Sequence, residues 1–111
     1  MEFDSNKPIY IQIADNICDR VLSGELKQSE RIPSVREWGA QIGVNPNTVA
    51  RAYDILSDKG IICNRRGLGF FVSDDAIKTI TLSEQKKFLE EELPAFVKRA
   101  ELLGIDLKSI L

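Results

Sequence analysis

Two short amphipathic stretches, separated by the break Gly43-Val44-Asn45-Pro46, constrain this sequence more than any other feature. Ser34 and Glu37 have the spacing of a capping box, and Gly43 is placed to end the helix that this box begins. Asn45 suits an N-cap and Pro46 a first helical position, so a second helix follows at once and runs up to Gly60. The pattern predicts two helices joined by a tight turn.

Small and apolar residues fall where a helix-turn-helix needs them. The apolar framework consists of Trp38, Ile42, Val44, Val49 and Ala52. Gly39 lies where the two helices would approach closely. Because glycine inside a helix costs ~1 kcal/mol relative to alanine, its placement predicts a steric demand at this point.

The second of these helices has a polar side. With Val49, Ala52, Tyr53 and Leu56 turned inward, its exposed start and outer side carry Asn45, Asn47, Thr48 and Arg51. Asparagine can pair with adenine, arginine with guanine, and a helix N-terminus with phosphate, so this side suits the DNA major groove. Capping explains Asn45 on any interpretation, whereas the other three have no comparable structural role and favour contact.

Flanking segments complete one small domain. Ile9, Ile13, Ile17 and Val21 recur at helical spacing after Pro8, and Gly24 is placed to end that helix. The stretch Glu25 to Pro33 is expected to be a connector. After Gly60, strand-forming residues at 61–65 and 70–72 flank Arg66-Gly67-Leu68-Gly69, which predicts a short hairpin that leans on the helices.

The hairpin places Arg65 and Arg66 beside two glycines that allow a backbone to approach another surface closely. This arrangement is typical of a wing on DNA. A hairpin with ordinary solvated arginines is the alternative and is, taken alone, about equally consistent with the residues. Gly67-Leu68-Gly69 lacks the third glycine of a nucleotide-binding loop, and the sequence contains no GK[ST] phosphate loop.

An apolar stripe follows the hairpin. Thr81-Leu82-Ser83-Glu84 fits a second capping box and predicts a helix from Ser83 to Leu103, ~31 Å long, with a kink at Pro94. Its stripe consists of Leu82, Leu89, Leu93, Phe96, Ala100 and Leu103, at heptad-like spacing. A second copy of the chain is the natural partner for so long a stripe, and packing within the chain is the alternative.

Composition excludes several classes of function. The chain has 111 residues and no histidine, which removes histidine-dependent triads and zinc sites. Asp74-Asp75 and Glu90-Glu91-Glu92 suggest a boundary and a solvated face rather than acid/base pairs. Cys18 and Cys63 are too few and too far apart for a disulfide scaffold, so reduced thiols are expected. No apolar run could span a bilayer and no secretion signal precedes the first helix, so a cytoplasmic protein is expected.

Charge is segregated along the chain. The net charge is −2, which argues against nucleic acid if the chain is taken as a whole. Counted by segment, residues 1–30 carry −3, residues 31–72 carry +3 and residues 73–111 carry −2. Attraction to phosphate depends on the local surface, and five of the six cations in the middle segment are arginines. The predicted helix-turn-helix and hairpin are therefore the basic part of the molecule.

Several motifs in order resemble the GntR family of bacterial transcription regulators. They are Pro8-Ile9-Tyr10-Ile11-Gln12-Ile13, Gly24-Glu25-Leu26, Pro33-Ser34-Val35-Arg36-Glu37, Gly43-Val44-Asn45-Pro46-Asn47-Thr48-Val49 and Arg65-Arg66-Gly67-Leu68-Gly69-Phe70-Phe71-Val72. The resemblance implies a winged helix-turn-helix that binds operator DNA as a homodimer, with the helix from Asn45 as recognition helix. The chain departs from the family at Gln28-Ser29, Trp38, Gly39 and Phe70.

The resemblance also assigns residues and a subfamily. It makes Arg36 a DNA contact and Gly67 and Gly69 the wing-tip glycines. The predicted DNA-binding set is Ser34, Arg36, Asn45, Asn47, Thr48, Arg51, Arg65, Arg66, Gly67 and Gly69. The 39 residues after the wing resemble the YtrA-like subfamily, whose short helical tail mediates dimerisation.

These observations predict a mainly α fold with a β-hairpin wing. Residues 1–75 form the expected DNA-binding domain and residues 76–111 the helical dimerisation region. The expected function is a homodimeric transcription regulator, a repressor by family resemblance, on a pseudopalindromic operator in double-stranded DNA. No enzyme activity, cofactor, metal or membrane association is expected. Whether a small-molecule effector binds is left open by the sequence. The alternative is a protein-interaction or scaffolding module that uses the winged helix for docking.

Overall fold

A computed structural model describes residues 1–111, which divide into two compact units, Met1–Ile80 and Thr81–Leu111. The elements in chain order are α1 (Ile9–Leu22), α2 (Val35–Ile42), α3 (Pro46–Asp58), β1 (Ile62–Arg65), β2 (Gly69–Val72), α4 (Ala76–Lys87), a π-helical turn (Phe88–Glu92), α5 (Leu93–Leu102) and α6 (Leu107–Ile110). The predicted fold class, a mainly α winged helix-turn-helix with a helical tail, is confirmed.

Local signals set the ends of α2 and α3 as predicted. The Ser34 hydroxyl accepts from the Glu37 amide at 3.1 Å, and the Glu37 carboxylate accepts from the Ser34 amide at 3.2 Å. Gly43 follows α2 with a left-handed φ of 71°, and its successor Val44 bonds back to the Gly39 carbonyl. The Asn45 side chain accepts from the Asn47 amide at 2.8 Å and so caps α3.

The close approach predicted at Gly39 is present in the structure. It is the one glycine of the seven whose φ is not positive, so backbone conformation does not require it. A Cβ atom built at Gly39 would lie 2.6 Å from the Val44 carbonyl oxygen. Glycine therefore allows α2 to pack closely against the turn that leads into α3.

One hydrophobic core unites the first unit. Its largest fully buried side chains come from α1, α3 and the sheet: Ile13, Ile17, Val21, Val49, Tyr53, Leu56, Ile62 and Val72, together with Ile32 and Ile80. Tyr53 also donates its hydroxyl proton to the Pro33 carbonyl at 2.5 Å, and burial raises the pKa of this phenol. Its ring meets Phe70 edge-on, so α3 supports both the sheet and the segment that leads into α2.

The two-stranded sheet has an additional backbone partner along one edge. β1 and β2 form the expected antiparallel hairpin, with Ile62 opposite Val72 and Arg65 opposite Gly69. The stretch expected to be a simple connector pairs with the other edge of β2, where Arg31 forms a bridge with Phe71. Hydrogen bonds from Ser29 to Val72, from Val72 to Glu30 and from Ile32 to Phe70 extend this pairing. The stretch forms no helix or strand of its own, as expected of a connector, but residues 29–32 pair with β2 because apolar Ile32 is buried in the core and aligns its neighbours with that strand.

The first helix of the tail begins earlier than predicted. The helix expected from Ser83 begins at Ala76, where Ala76 and Ile80 are buried and the Gln28 side chain accepts from the Ile77 amide at 3.1 Å. No cap forms at Thr81, which lies inside α4. Burial of these two side chains and the contact with Gln28 outweigh the capping-box signal.

A deviation from α-helical geometry lies directly before Pro94, where the sequence predicts a kink. The chain makes a π-helical turn at Phe88–Glu92, and the Leu93 amide bonds to the Phe88 carbonyl, five residues back. Pro94 itself lies in the first turn of α5, where a missing amide proton is tolerated. The π-helical turn thus ends just before the proline, and the kink at Pro94 stays a prediction.

No helix combines the length and the apolar character needed to cross a bilayer. Cys18 and Cys63 are both half-buried and form no disulfide.

Candidate nucleic-acid interface

The predicted recognition helix is α3, and its polar side is exposed. Asn45, Asn47 and Arg51 are exposed, while Thr48 is half-buried. The opposite side of the helix carries the buried residues Val49, Ala52, Tyr53 and Leu56. The structure thus presents two of the predicted contacts, Asn47 and Arg51, with no intrachain role that would bury them.

Arg51 is oriented by a residue of another helix. Its guanidinium carbon lies 4.0 Å from the centre of the Tyr10 ring, in the first turn of α1. A cation over an aromatic face is attracted by the ring quadrupole, by ~0.5–1 kcal/mol at exposed sites. The contact restricts Arg51 to fewer conformations while its hydrogen-bond donors remain available.

Arg36 lies beside the start of α3. A surface groove lined by Val35, Arg36, Asn45, Pro46, Asn47 and Ala50 joins the two helices. The turn brings Arg36 of α2 together with Asn45 and Asn47, although Arg36 and Asn45 are nine positions apart in the sequence. Three predicted contacts therefore line the same groove.

The hydroxyl and the amide of Ser34 both form the capping box of α2. Its hydroxyl accepts from Glu37, and its amide donates to the Glu37 carboxylate. The hydrogen bond from the Ser34 amide and then that with the Ser34 side chain lower the pKa of Glu37; desolvation opposes them, and the charge of Arg31 makes the smallest contribution to the lowering. The Glu37 carboxylate thus stays ionised and anchors the start of α2.

The wing, Ile62–Val72, presents the remaining predicted residues. Arg65 stacks on the Phe71 ring at 4.3 Å from its centre, while Arg66 and Gly67 are exposed in the turn. Gly67 and Gly69 have φ values of 78° and 103°, which side chains rarely allow. The turn therefore needs glycine for its backbone, and its tip stays narrow.

The arginines of this surface have no anionic partners. The three ion pairs of the structure are Lys7–Asp15, Arg20–Glu25 and Arg31–Glu37. Arg36, Arg51, Arg65 and Arg66 take part in none of them. Their positive charge is available to an external anion.

Sequence reasoning missed two residues of this region. Tyr10 belongs to a motif that predicts no role for its side chain, and Arg31 lies in the stretch expected to be a connector. Arg31 donates from Nε to the Leu68 carbonyl at 3.2 Å and lies 3.7 Å from a Glu37 carboxylate oxygen. The position of Tyr10 at the start of α1 and the charge of Arg31 immediately before Ile32 are visible in the sequence. Neither feature predicts which residue the side chain contacts.

Comparison with known proteins identifies the chain. The family described as bacterial regulatory proteins, gntR family, matches residues 9–72, more than half of the sequence. The chain belongs to the GntR family.

Two curated relatives are similar over nearly the whole GntR chain. The HTH-type transcriptional regulator YhcF of Bacillus subtilis is 41% identical over 99% of this chain and 89% of its own length. The HTH-type transcriptional repressor YtrA of the same organism is 36% identical over 96% of this chain and 81% of its own. These relatives are transcriptional regulators rather than enzymes.

Solved structures agree with this assignment. A GntR-family transcriptional regulator from Bacteroides thetaiotaomicron has 44% identity and a TM-score of 0.77, over 92% of this chain and 88% of its own. The DNA-binding domain of AraR, crystallised in complex with operator ORR3, has 26% identity and a TM-score of 0.59, over 66% of this chain and 88% of its own.

The tail of this GntR chain exposes most of its apolar stripe. Leu82, Leu89, Leu93, Phe96 and Leu103 are exposed, with Leu89 and Phe96 at 59%. Ala100 differs, because it is only 6% exposed within the single chain. Five of the six predicted dimerisation residues are thus accessible in the single chain.

Proposed function

We propose that this GntR-family chain is a sequence-specific DNA-binding transcription regulator that represses by occupying an operator as a homodimer. Residues 1–75 are its DNA-binding domain and residues 76–111 its dimerisation region, and it acts in the cytoplasm, where bacterial DNA lies. The observation that carries the proposal is the outer side of α3: Asn47 and Arg51 are exposed together, and Arg51 has an aromatic support but no carboxylate partner.

The chemistry of this surface matches the edges of base pairs. Asn47 can bond to adenine and Arg51 can make a two-pronged bond to guanine in the major groove. Arg36 extends the same surface toward the phosphate backbone or a neighbouring base. Each good two-pronged contact contributes ~1–3 kcal/mol of discrimination.

The wing supplies attraction that is independent of sequence. Arg65 and Arg66 flank a narrow tip built on Gly67 and Gly69, which can approach a groove or phosphate closely. Contacts of this kind fix the protein's register on the duplex. The basic segment thus supports DNA binding within a chain whose net charge is −2.

The tail supports a homodimer. Exposed side chains such as Leu89 and Phe96 gain from burial against a second copy. Two recognition helices related by a two-fold axis then reach successive major grooves about 34 Å apart, which favours a pseudopalindromic operator. The repressor YtrA and the operator complex of AraR, as named, agree with this function.

Selection of bound sites from a random DNA library tests the proposal. The expected product is a pair of inverted half-sites with centres about one helical turn apart, or a multiple of it. The variant Asn47→Ala should select a site relaxed at one position in each half. Recovery of unrelated sequences at low salt would overturn DNA recognition and favour a protein-docking module, and recovery of single half-sites would overturn the dimer.

A further inference from the structure

Arg31 lies beside the free edge of β2 in the two-stranded sheet, next to the wing tip. Its backbone pairs with Phe71, so side chains alternate about this point. Ile32, Ile62 and Val72 face the core, whereas Arg31 is 53% exposed on the other side. Pairing between the strands therefore aims the Arg31 side chain along the wing.

The guanidinium joins the two elements on either side of it. Its Nε donates to the Leu68 carbonyl at 3.2 Å, and a terminal nitrogen lies 3.7 Å from the Glu37 carboxylate. Leu68 is part of the turn, where its amide bonds to the Arg65 carbonyl at 2.9 Å. Glu37 belongs to the capping box of α2. One side chain thus connects the tip of the wing to the start of the helix-turn-helix.

Gly69 leaves the space that Arg31 occupies. A Cβ atom at Gly69 would lie 3.2 Å from Nε of Arg31 and 3.5 Å from one of its terminal nitrogens. The distance of 3.2 Å to Nε is tighter than ordinary van der Waals contact, so the Arg31 side chain would have to shift to make room for a Cβ atom. Besides permitting a φ of 103°, Gly69 therefore lets the guanidinium pass directly over the backbone of β2.

We propose that Arg31 is a positioning residue of the wing: it fixes the Leu68 carbonyl, and with it the tip that carries Arg66, at a set distance from α2. Its consequence for DNA rests on the proposed function of this surface. The geometry needs the planar fork of arginine, because Nε bonds to the wing while one terminal nitrogen pairs with Glu37. Lysine keeps the charge but offers one ammonium group, which cannot make both contacts in this way.

The central variant is therefore Arg31→Lys, compared with Arg31→Ala. Arg20→Lys is the matched control, since Arg20 also pairs with a glutamate, at 3.6 Å, but lies on α1 away from the wing. Circular dichroism establishes that each variant is folded.

The first measurement uses the free protein. In Arg31→Lys, hydrogen exchange of the Leu68 amide should quicken about 3- to 10-fold, the effect of losing one hydrogen bond that holds the turn, while amides of α3 exchange at their wild-type rate. Arg20→Lys should leave Leu68 unchanged. A wild-type exchange rate at Leu68 in Arg31→Lys would overturn the proposal whatever the protein binds.

The second measurement uses a selected operator and a random duplex of the same length. Arg31→Lys should reduce the ratio of the two affinities about 3- to 10-fold with the salt slope unchanged, because the charge remains. Full wild-type selectivity in Arg31→Lys, with an equal loss on both duplexes in Arg31→Ala, would show Arg31 to be a phosphate contact only and overturn positioning. If the wild type itself has no preference, the proposed function fails, and exchange at Leu68 still decides the role of Arg31.

Discussion

The guanidinium of Arg51 lies over the ring of Tyr10, 4.0 Å from its centre. The two residues are 41 positions apart in the sequence and belong to different helices, α3 and α1. The contact limits the directions in which a base-reading arginine can point before DNA arrives. Less side-chain entropy then remains to be lost on binding.

Tyr10→Ala should weaken operator binding about 2- to 5-fold, the equivalent of an exposed cation–π contact. Tyr10→Phe retains an aromatic face and should bind within a factor of about two of the wild type, which separates stacking from hydrogen bonding by the phenol. Fluorescence anisotropy with a labelled operator measures both. Equal losses in the two variants would assign the effect to the hydroxyl group instead.

Arg51→Ala and Arg66→Ala should affect DNA binding in different ways. Loss of a base contact at Arg51 should cost ~1–3 kcal/mol on the operator and alter the preferred sequence. Loss of Arg66 should weaken binding to every duplex and lower the salt slope by about one per contact. Titrations on operator and random DNA at several salt concentrations check this, and equal losses on both duplexes for Arg51→Ala would contradict base reading.

Gly39→Ala should destabilise the protein although alanine is the better helix former. The added Cβ would lie 2.6 Å from the Val44 carbonyl oxygen, a backbone atom that cannot rotate away. Overpacking of this type costs ~1–3 kcal/mol, and the gain in helix propensity offsets ~1 kcal/mol of it. Thermal unfolding should show a lower midpoint, and an unchanged or higher midpoint would contradict the close approach. Ala40→Gly, at the exposed neighbouring position, controls for helix propensity.

Glu37→Gln should reveal a pH-dependent contribution to stability. The pKa of Glu37 is lowered in the folded protein, chiefly by the hydrogen bond from the Ser34 amide. Its stabilising effect is therefore present above the unfolded value of 4.5 and is lost as the pH falls through the lower folded value. Thermal midpoints measured from neutral pH downward should favour the wild type near pH 7 and converge below pH 4.5. A difference that stays constant over this range would contradict the shift.

Phe96→Glu should convert a dimer into a monomer, because it places a charge on an apolar surface that a partner would bury. Sedimentation velocity measures the change. Leu68→Glu is the matched control. Leu68 is 62% exposed, similar to the 59% exposure of Phe96, but it lies in the wing. The control should remain a dimer, and a dimeric Phe96→Glu variant would remove Phe96 from the interface.

Features set by local chemistry could be predicted from the sequence. The capping box at Ser34, the cap at Asn45, the left-handed Gly43 and the hairpin turn depend on residues within a few positions of each other, and all were confirmed. The packing role of Gly39 was predicted from its cost to a helix. Partners distant in sequence were not predictable, because the pairing of Arg31 with Phe71 depends on how the core orders the chain.

The candidate site divides in the same way. The exposure of Asn47 and Arg51 followed from helical periodicity, since their inward neighbours are apolar. The ring beneath Arg51 and the carbonyl held by Arg31 could not follow from it, because both depend on the packing of separate elements. The start of the tail helix was also misplaced, since burial of Ala76 and Ile80 has no signature in the capping pattern.

The π-helical turn at Phe88–Glu92 changes which side of the tail helix each stripe residue faces. Such a turn takes up about one extra residue, so side chains beyond it are rotated by about 100° relative to an unbroken α-helix. Leu82 therefore falls out of line with Phe96 and Leu103, and the stripe divides into two shorter patches. Removing a single amino acid from this turn would restore an unbroken α-helix and leave the two patches in the same relative orientation. Only a return to α-helical geometry at full chain length would bring them into one continuous seam, so the local backbone at Phe88–Glu92 sets the shape of the surface that a second copy would meet.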